Sequence, residues 1–202
     1  MSNSMKILIG FGVVVLLFAW KGCSTYNGLV GFDEGVNEKW AQVQNQYQRR
    51  ADLIPNLVET VKGAANFERE TLEAVIQARA SATRPEINAG NLLNNPQAFQ
   101  QFQQAQDNLG AALGRLLVTV EKYPELKANQ NYLDLQTQLE GTENRITVAR
   151  KDFNEVVQKY NSTVRGFPTN VIGGMFGFQQ RPYFQAVAEA QAAPKVDFGG
   201  NK

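Results

Sequence analysis

The sequence predicts an all-α fold: an N-terminal transmembrane helix followed by an antiparallel bundle of three or four long helices. Three observations predict it. Apolar residues recur at alternating spacings of three and four along several long stretches. No stretch alternates apolar and polar residues as a half-buried strand would. An uncharged apolar run, Ile7 to Trp20, stands by itself at the N-terminus between Lys6 and Lys21.

The 202 residues suffice for one domain and an anchor. The net charge of +1 creates no field that would favour nucleic acid or strongly acidic partners. Charged residues make up 19%, and Gln and Asn carry much of the polar surface, as in Gln97–Gln106. The single cysteine excludes an intrachain disulfide. There is no histidine, and this constrains the chemistry more than any other compositional fact.

The 14 residues Ile7–Trp20 rise about 21 Å as a helix, short of the roughly 30 Å hydrocarbon core. In one reading Lys21 snorkels and the span continues through Tyr26. In another a soluble protein buries this N-terminal helix, and in a further one the run belongs to a secretory signal. Cys23 would then be a candidate for lipidation, although Trp20 and Lys21 suit such a site poorly. Orientation is weakly encoded, because Lys and Arg are almost balanced across the run; the expectation is a single-pass inner-membrane protein with its bulk domain outside the cytoplasm. The expected organisation is a short tail at 1–6, the anchor at 7–26 and a flexible Gly-containing linker at 27–32. The helical domain follows at 33–184, then a disordered tail at 185–202.

The first bundle helix carries Val36, Trp40, Val43, Tyr47, Arg50, Ile54, Leu57 and Val61 on one stripe, and Asp33 is placed to cap its start. Pro55 falls within the pattern, where it removes a backbone donor and crowds residue 51, so a kink or junction is expected. Asn56 lies beside it and is a candidate for bonding freed backbone groups, as is Asn161. Phe67–Ala82 reads as a second helix with Leu72, Val75, Ile76 and Arg79 on one side. Residues 84–95 read as a loop. Pro96 suits a first helical position with Asn95 as cap. The following stripe is Phe99, Phe102, Gln106, Leu109, Leu113, Leu116 and Val120, closed by Tyr123-Pro124. The last long helix carries Tyr132, Leu135, Leu139, Thr142, Ile146, Ala149, Phe153, Val156 and Tyr160, and ends at Gly166 and Pro168.

The segment 168–184 gathers Val171, Ile172, Met175, Phe176, Phe178, Tyr183 and Phe184 around glycines, too glycine-rich for a stable exposed helix. It either folds back to cap the bundle or contacts a membrane interface or another subunit.

These residues resemble the LemA family. The matching stretches are Trp40–Val43, Gln48–Val58, Thr60–Gly63, Glu70–Val75 with Ala78-Arg79, Tyr160-Asn161, Phe167-Pro168, Phe176–Phe178 and Pro182–Phe184, together with Tyr26-Asn27. The resemblance covers roughly residues 26–186, and the Arg49–Val58 block is its most specific part. It implies an N-terminal membrane segment, an antiparallel helical bundle and no established catalytic activity. One relative takes part in building bacterial magnetosome membranes, which implies a link to membrane organisation.

No enzyme site is expected. Di-metal carboxylate bundles use Glu-x-x-His pairs, and His is absent. The pairs Glu70/Glu73 and Glu140/Glu143 read as solvated acidic faces, so no metal or other cofactor is expected. Arg50 shares its stripe with Tyr47 and Ile54 and needs a partner if buried, with Asp152 and Glu155 as candidates. Alternatively Arg49, Arg50 and Asp52 form a binding site for a protein or a lipid headgroup. Met175, Phe176, Phe178, Tyr183 and Phe184 complete the candidate interaction residues. The function expected is that of a membrane-anchored scaffold that forms homo-oligomers or recruits other envelope proteins. The alternative is a sensor or adaptor that binds a small ligand or peptide between helices, near the polar or small positions Gln106, Thr142 and Ala149.

Overall fold

The computed structural model describes residues 3–64, 67–84 and 92–185, without the side chains of Ile7, Leu8, Val14, Val15, Phe18 and Ala19. The sequence-predicted loop at 84–95 falls largely outside the described residues, and so does the expected disordered tail apart from Gln185. The described residues are helical with no strand. We label the helices α1 (Asn3–Lys62), α2 (Arg69–Ala82), α3 (Pro96–Val120), α4 (Pro124–Lys127), α5 (Gln130–Arg165) and α6 (Thr169–Met175).

The 60 residues of α1 rise about 90 Å. Its C-terminal half lies antiparallel to α5, as the pairs Lys39–Asp152 and Arg50–Glu143 show. Likewise α2 runs antiparallel to α3: Glu68 meets Lys122 at one end, and Gln106 meets Ala82 at the other. The predicted stripes face inward. Every stripe residue of α1 from Val36 to Val61 is buried, and so is every one of α3 from Phe99 to Val120. On α5 the seam includes Val157 and Val164, while Val156 and Leu135 pack at its margin. On α2, Leu72 and Val75 are buried but Ile76 is exposed.

Three local expectations are corrected. The helix runs unbroken through residues 27–32, read from the sequence as a flexible linker, because Leu29 is completely buried in the core despite Gly28 and Gly31 on either side. Asp33 therefore lies inside α1 and caps nothing. Pro55 lies inside α1 without ending it. The carbonyl that Pro55 leaves without a helical donor, that of Ala51, accepts the Arg79 Nε–H at 2.8 Å from α2. Asn56 has no part in this; it is exposed, and its own carbonyl accepts a bond from Thr60 Oγ1.

Two caps follow the sequence logic. Asn95 Oδ1 accepts from the amides of Gln97 and Ala98, with Pro96 at the first helical position. Asn129 Oδ1 does the same for Asn131 and Tyr132. The glycine-rich tail does form a short helix, α6, with Gly173 buried close to Leu29, Phe178 and Val164. It stops at Gly177, whose φ of +79° allows the Phe178 amide to reach the Gly173 carbonyl at 2.9 Å.

Candidate functional site

The core has two apolar clusters. One holds Trp40, Phe99, Phe102, Phe153, Tyr160 and Phe184; the other holds Ile54, Leu57, Val75, Leu109, Leu116 and Leu139. A polar layer centred on Arg50 separates them. Arg50 is 3% exposed. Its Nη1 donates to Glu143 Oε1 at 2.7 Å, and its Nη2 donates to Gln106 Oε1 at 2.7 Å and to the Gln106 carbonyl at 3.1 Å. Gln106 Nε2 donates in turn to the Ala82 carbonyl at 3.0 Å. Helices α1, α2, α3 and α5 are thus joined at one level, and the guanidinium lies 5.2 Å from the Tyr47 ring centroid.

The sequence-proposed partners of Arg50 sit elsewhere: Asp152 faces Lys39 at 3.5 Å, and Glu155 faces Lys151 at 3.8 Å. Arg49 and Asp52 are exposed and point away from this layer, with Asp52 accepting from Gln48 Nε2 at 2.7 Å. The three do not form a common site. Burial pushes the Tyr47 phenol up to about 12, opposed in part by the Arg150 and Arg50 charges. Burial likewise raises Tyr160 and Tyr132 above the usual tyrosine range.

Gln106, Thr142 and Ala149 do not border one pocket. Gln106 lines a cleft with Tyr47, Gln48, Ala51 and Ala82, Ala149 lines a shallow groove between α1 and α5, and Thr142 is fully buried. Among the described residues no three Cys, Asp or Glu side chains gather as a metal-binding group.

The chain after α6 turns back along α5, and three side-chain amides hold it. Asn161 bonds both the amide and the carbonyl of Arg181, at 2.8 and 2.9 Å. Asn154, one heptad earlier, bonds both groups of Phe184, at 2.9 and 3.0 Å. Gln103 on α3 bonds both groups of Gln185, at 3.1 and 2.8 Å. Each amide supplies the donor and the acceptor that a neighbouring strand would otherwise supply. Between these clips, Phe184 is 6% exposed and packs against Trp40, Phe99 and Phe153. The Arg150 guanidinium covers its ring at 4.6 Å. Arg181 reaches Asp33 at 2.6 Å and also bonds Asn94. Tyr183, by contrast, is partly exposed.

The far end of this arrangement is apolar and open. Phe167, Val171, Met175 and Phe176 are exposed on and beside α6, and Phe176 lies 4.8 Å from Tyr26 of α1 between ring centroids. Phe178 is partly buried 5.8 Å from the same ring. Beyond Tyr26, α1 continues toward the N-terminus with Ile9, Phe11, Leu16, Leu17 and Trp20 exposed. Cys23 is exposed and free. Among the described residues no helix is long and apolar enough to cross a membrane. Six side chains of the run Ile7–Trp20 lie outside those residues.

Fold and surface define a class: an all-helical bundle with a long leading helix. The LemA family model matches residues 39–198, and the chain belongs to that family. The chain is 27% identical over 175 residues to magnetosome protein MamQ 2 of Paramagnetospirillum magneticum, covering 79% of this chain and 64% of that protein. It is 28% identical over 174 residues to magnetosome protein MamQ of Magnetospirillum gryphiswaldense, with the same coverages of 79% and 64%. It is 21% identical over 179 residues to the protein LemA of Metamycoplasma hominis, covering 89% of this chain and 77% of that protein. The chain therefore spans just under two thirds of the MamQ proteins it resembles.

Proposed function

We propose that this protein is a membrane-anchored helical scaffold that holds copies of itself or other envelope proteins at a bilayer, without catalytic activity. The anchor is the N-terminal part of α1, crossing the inner membrane once, with the bundle on the extracytoplasmic side. One observation carries the reading. The leading turns of α1 expose Phe11, Leu16, Leu17 and Trp20, while residues 29–62 of the same helix are built into the core. Apolar surface presented this way costs free energy in water and is relieved in lipid. The similarity to magnetosome proteins supports a role in membrane organisation.

The inward-facing stripes are consumed within the bundle, so self-association would use other surface. Mass measurement of the full chain in mild detergent, with crosslinking in intact cells, tests the scaffold reading. Oligomers or reproducible envelope neighbours are expected. A strictly monomeric species with no crosslinked neighbour would contradict it.

A further inference from the structure

We propose that α6 lies on the bilayer surface, with Phe167, Val171, Met175 and Phe176 in contact with lipid beside the point where α1 enters the membrane. The inference rests on the anchor reading and deepens it.

Val171 and Met175 are four residues apart and share one face of α6, with exposed Phe167 just before the helix, while Gly173 on the opposite face is buried against Leu29 and Val164. Phe167 is 86% exposed and Met175 78%. A segment this apolar, turned outward while its glycine faces the core, is inverted for an aqueous surface. The contact of Phe176 and Phe178 with Tyr26 fixes α6 at the level of Tyr26.

The uncharged run ends at Trp20, too short for the hydrocarbon core. A span of roughly 30 Å counted from Ile7 needs about 20 residues and reaches Tyr26. That places the hydrocarbon boundary at the level of α6. Lys21, about one and a half turns before Tyr26, reaches the headgroups by snorkelling. Exposed Arg165 at the end of α5 adds a second cation at the same level. A second copy of the chain could also cover such a face, but only lipid is continuous with the apolar surface of α1 at this end.

The test uses the full chain with Cys23→Ser, carrying a single engineered cysteine labelled with an environment-sensitive fluorophore. The protein is reconstituted into phosphatidylcholine vesicles containing phosphatidylglycerol. Met175→Cys reports α6, Leu16→Cys the anchor, and Glu59→Cys the distal end of the bundle. The Met175 label is expected to emit at shorter wavelength than the Glu59 label, and to be quenched by lipids with a spin label near the headgroup. The Leu16 label should be quenched by lipids labelled deeper in the chain. A Met175 label that stays water-like while the Leu16 label is quenched would overturn the α6 proposal and leave the anchor standing. A Leu16 label that is not quenched would overturn the anchor, and the proposal with it. A Met175 label shielded from water but untouched by spin-labelled lipid, and re-exposed on dilution of the protein, would assign the face to a second copy instead.

Discussion

Arg79 donates its Nε–H to the carbonyl of Ala51, and that carbonyl is the one Pro55 leaves without a helical partner. A proline inside a helix ordinarily costs about 3 kcal/mol, in part through the lost bond. Here a residue 28 positions away supplies the missing donor, and α2 is tied to α1 by the same contact. The structure predicts that Arg79→Met lowers stability by about 1–3 kcal/mol in urea denaturation. Pro55→Ala restores the backbone donor, so Arg79→Met should cost markedly less in that background. Equal costs in both backgrounds would show that the two residues are not coupled.

The amide clips give a second prediction. Asn161→Ala and Asn154→Ala each remove two hydrogen bonds from one residue of the returning segment. Each should cost about 1–3 kcal/mol, Asn161 more because it is the more buried. Hydrogen exchange at the Arg181 and Phe184 amides should accelerate in the matching variant. Phe184→Ala, which empties the space among Trp40, Phe99 and Phe153, should cost about 3–5 kcal/mol by the same denaturation measurement.

Arg50 is predicted to be structural. Arg50→Met leaves Gln106 Oε1 without its donor and should lose about 1–3 kcal/mol. The companion change Gln106→Leu should recover part of that loss, because an apolar layer then replaces a broken polar one. Glu143 is half exposed and can be rehydrated, so Glu143→Gln should cost less than Arg50→Met. If Arg50→Met keeps full stability but loses a crosslinked neighbour, the residue serves binding instead.

The buried tyrosines make stability fall at alkaline pH. In the folded chain Tyr47 keeps its proton up to about 12, whereas the unfolded phenol ionises near 10.0. Its contribution is complete below pH 10.0 and is lost as pH rises toward 12. Tyr132 and Tyr160 are raised as well and act in the same direction. Tyr47→Phe should reduce the alkaline slope of the melting temperature. The Tyr47 hydroxyl is buried with no hydrogen-bond partner among the described residues, so the substitution should leave stability at neutral pH the same or slightly higher.

How much of this was legible in the sequence differs by element. The stripes of α1 and α3 were readable residue by residue, because a buried helical face imposes its period on the sequence. The register between helices is not legible: spacing points Arg50 to Asp152 or Glu155, whereas α5 presents Glu143. Glycine propensity misled at residues 27–32, where the burial of Leu29 outweighs the local weakness of Gly28 and Gly31. An extended segment carries no period, so of the clips only a backbone-bonding role for Asn161 is legible, and its partner Arg181 is not. A signal did exist, in Asn154 and Asn161 one heptad apart within a long helix, where asparagine is a poor helix former and has a use only if something docks against it. Of the tail residues singled out together, Phe184 proves to be core and Met175 and Phe176 surface, a division that required the position of Gly177.

The central claim is that the leading part of α1 sits in lipid. Flotation of the full chain on a density gradient, after washing cell membranes with alkaline carbonate, tests it most directly. The chain is predicted to rise with the lipid fraction despite the wash. Recovery in the dense, lipid-free fractions would contradict the claim.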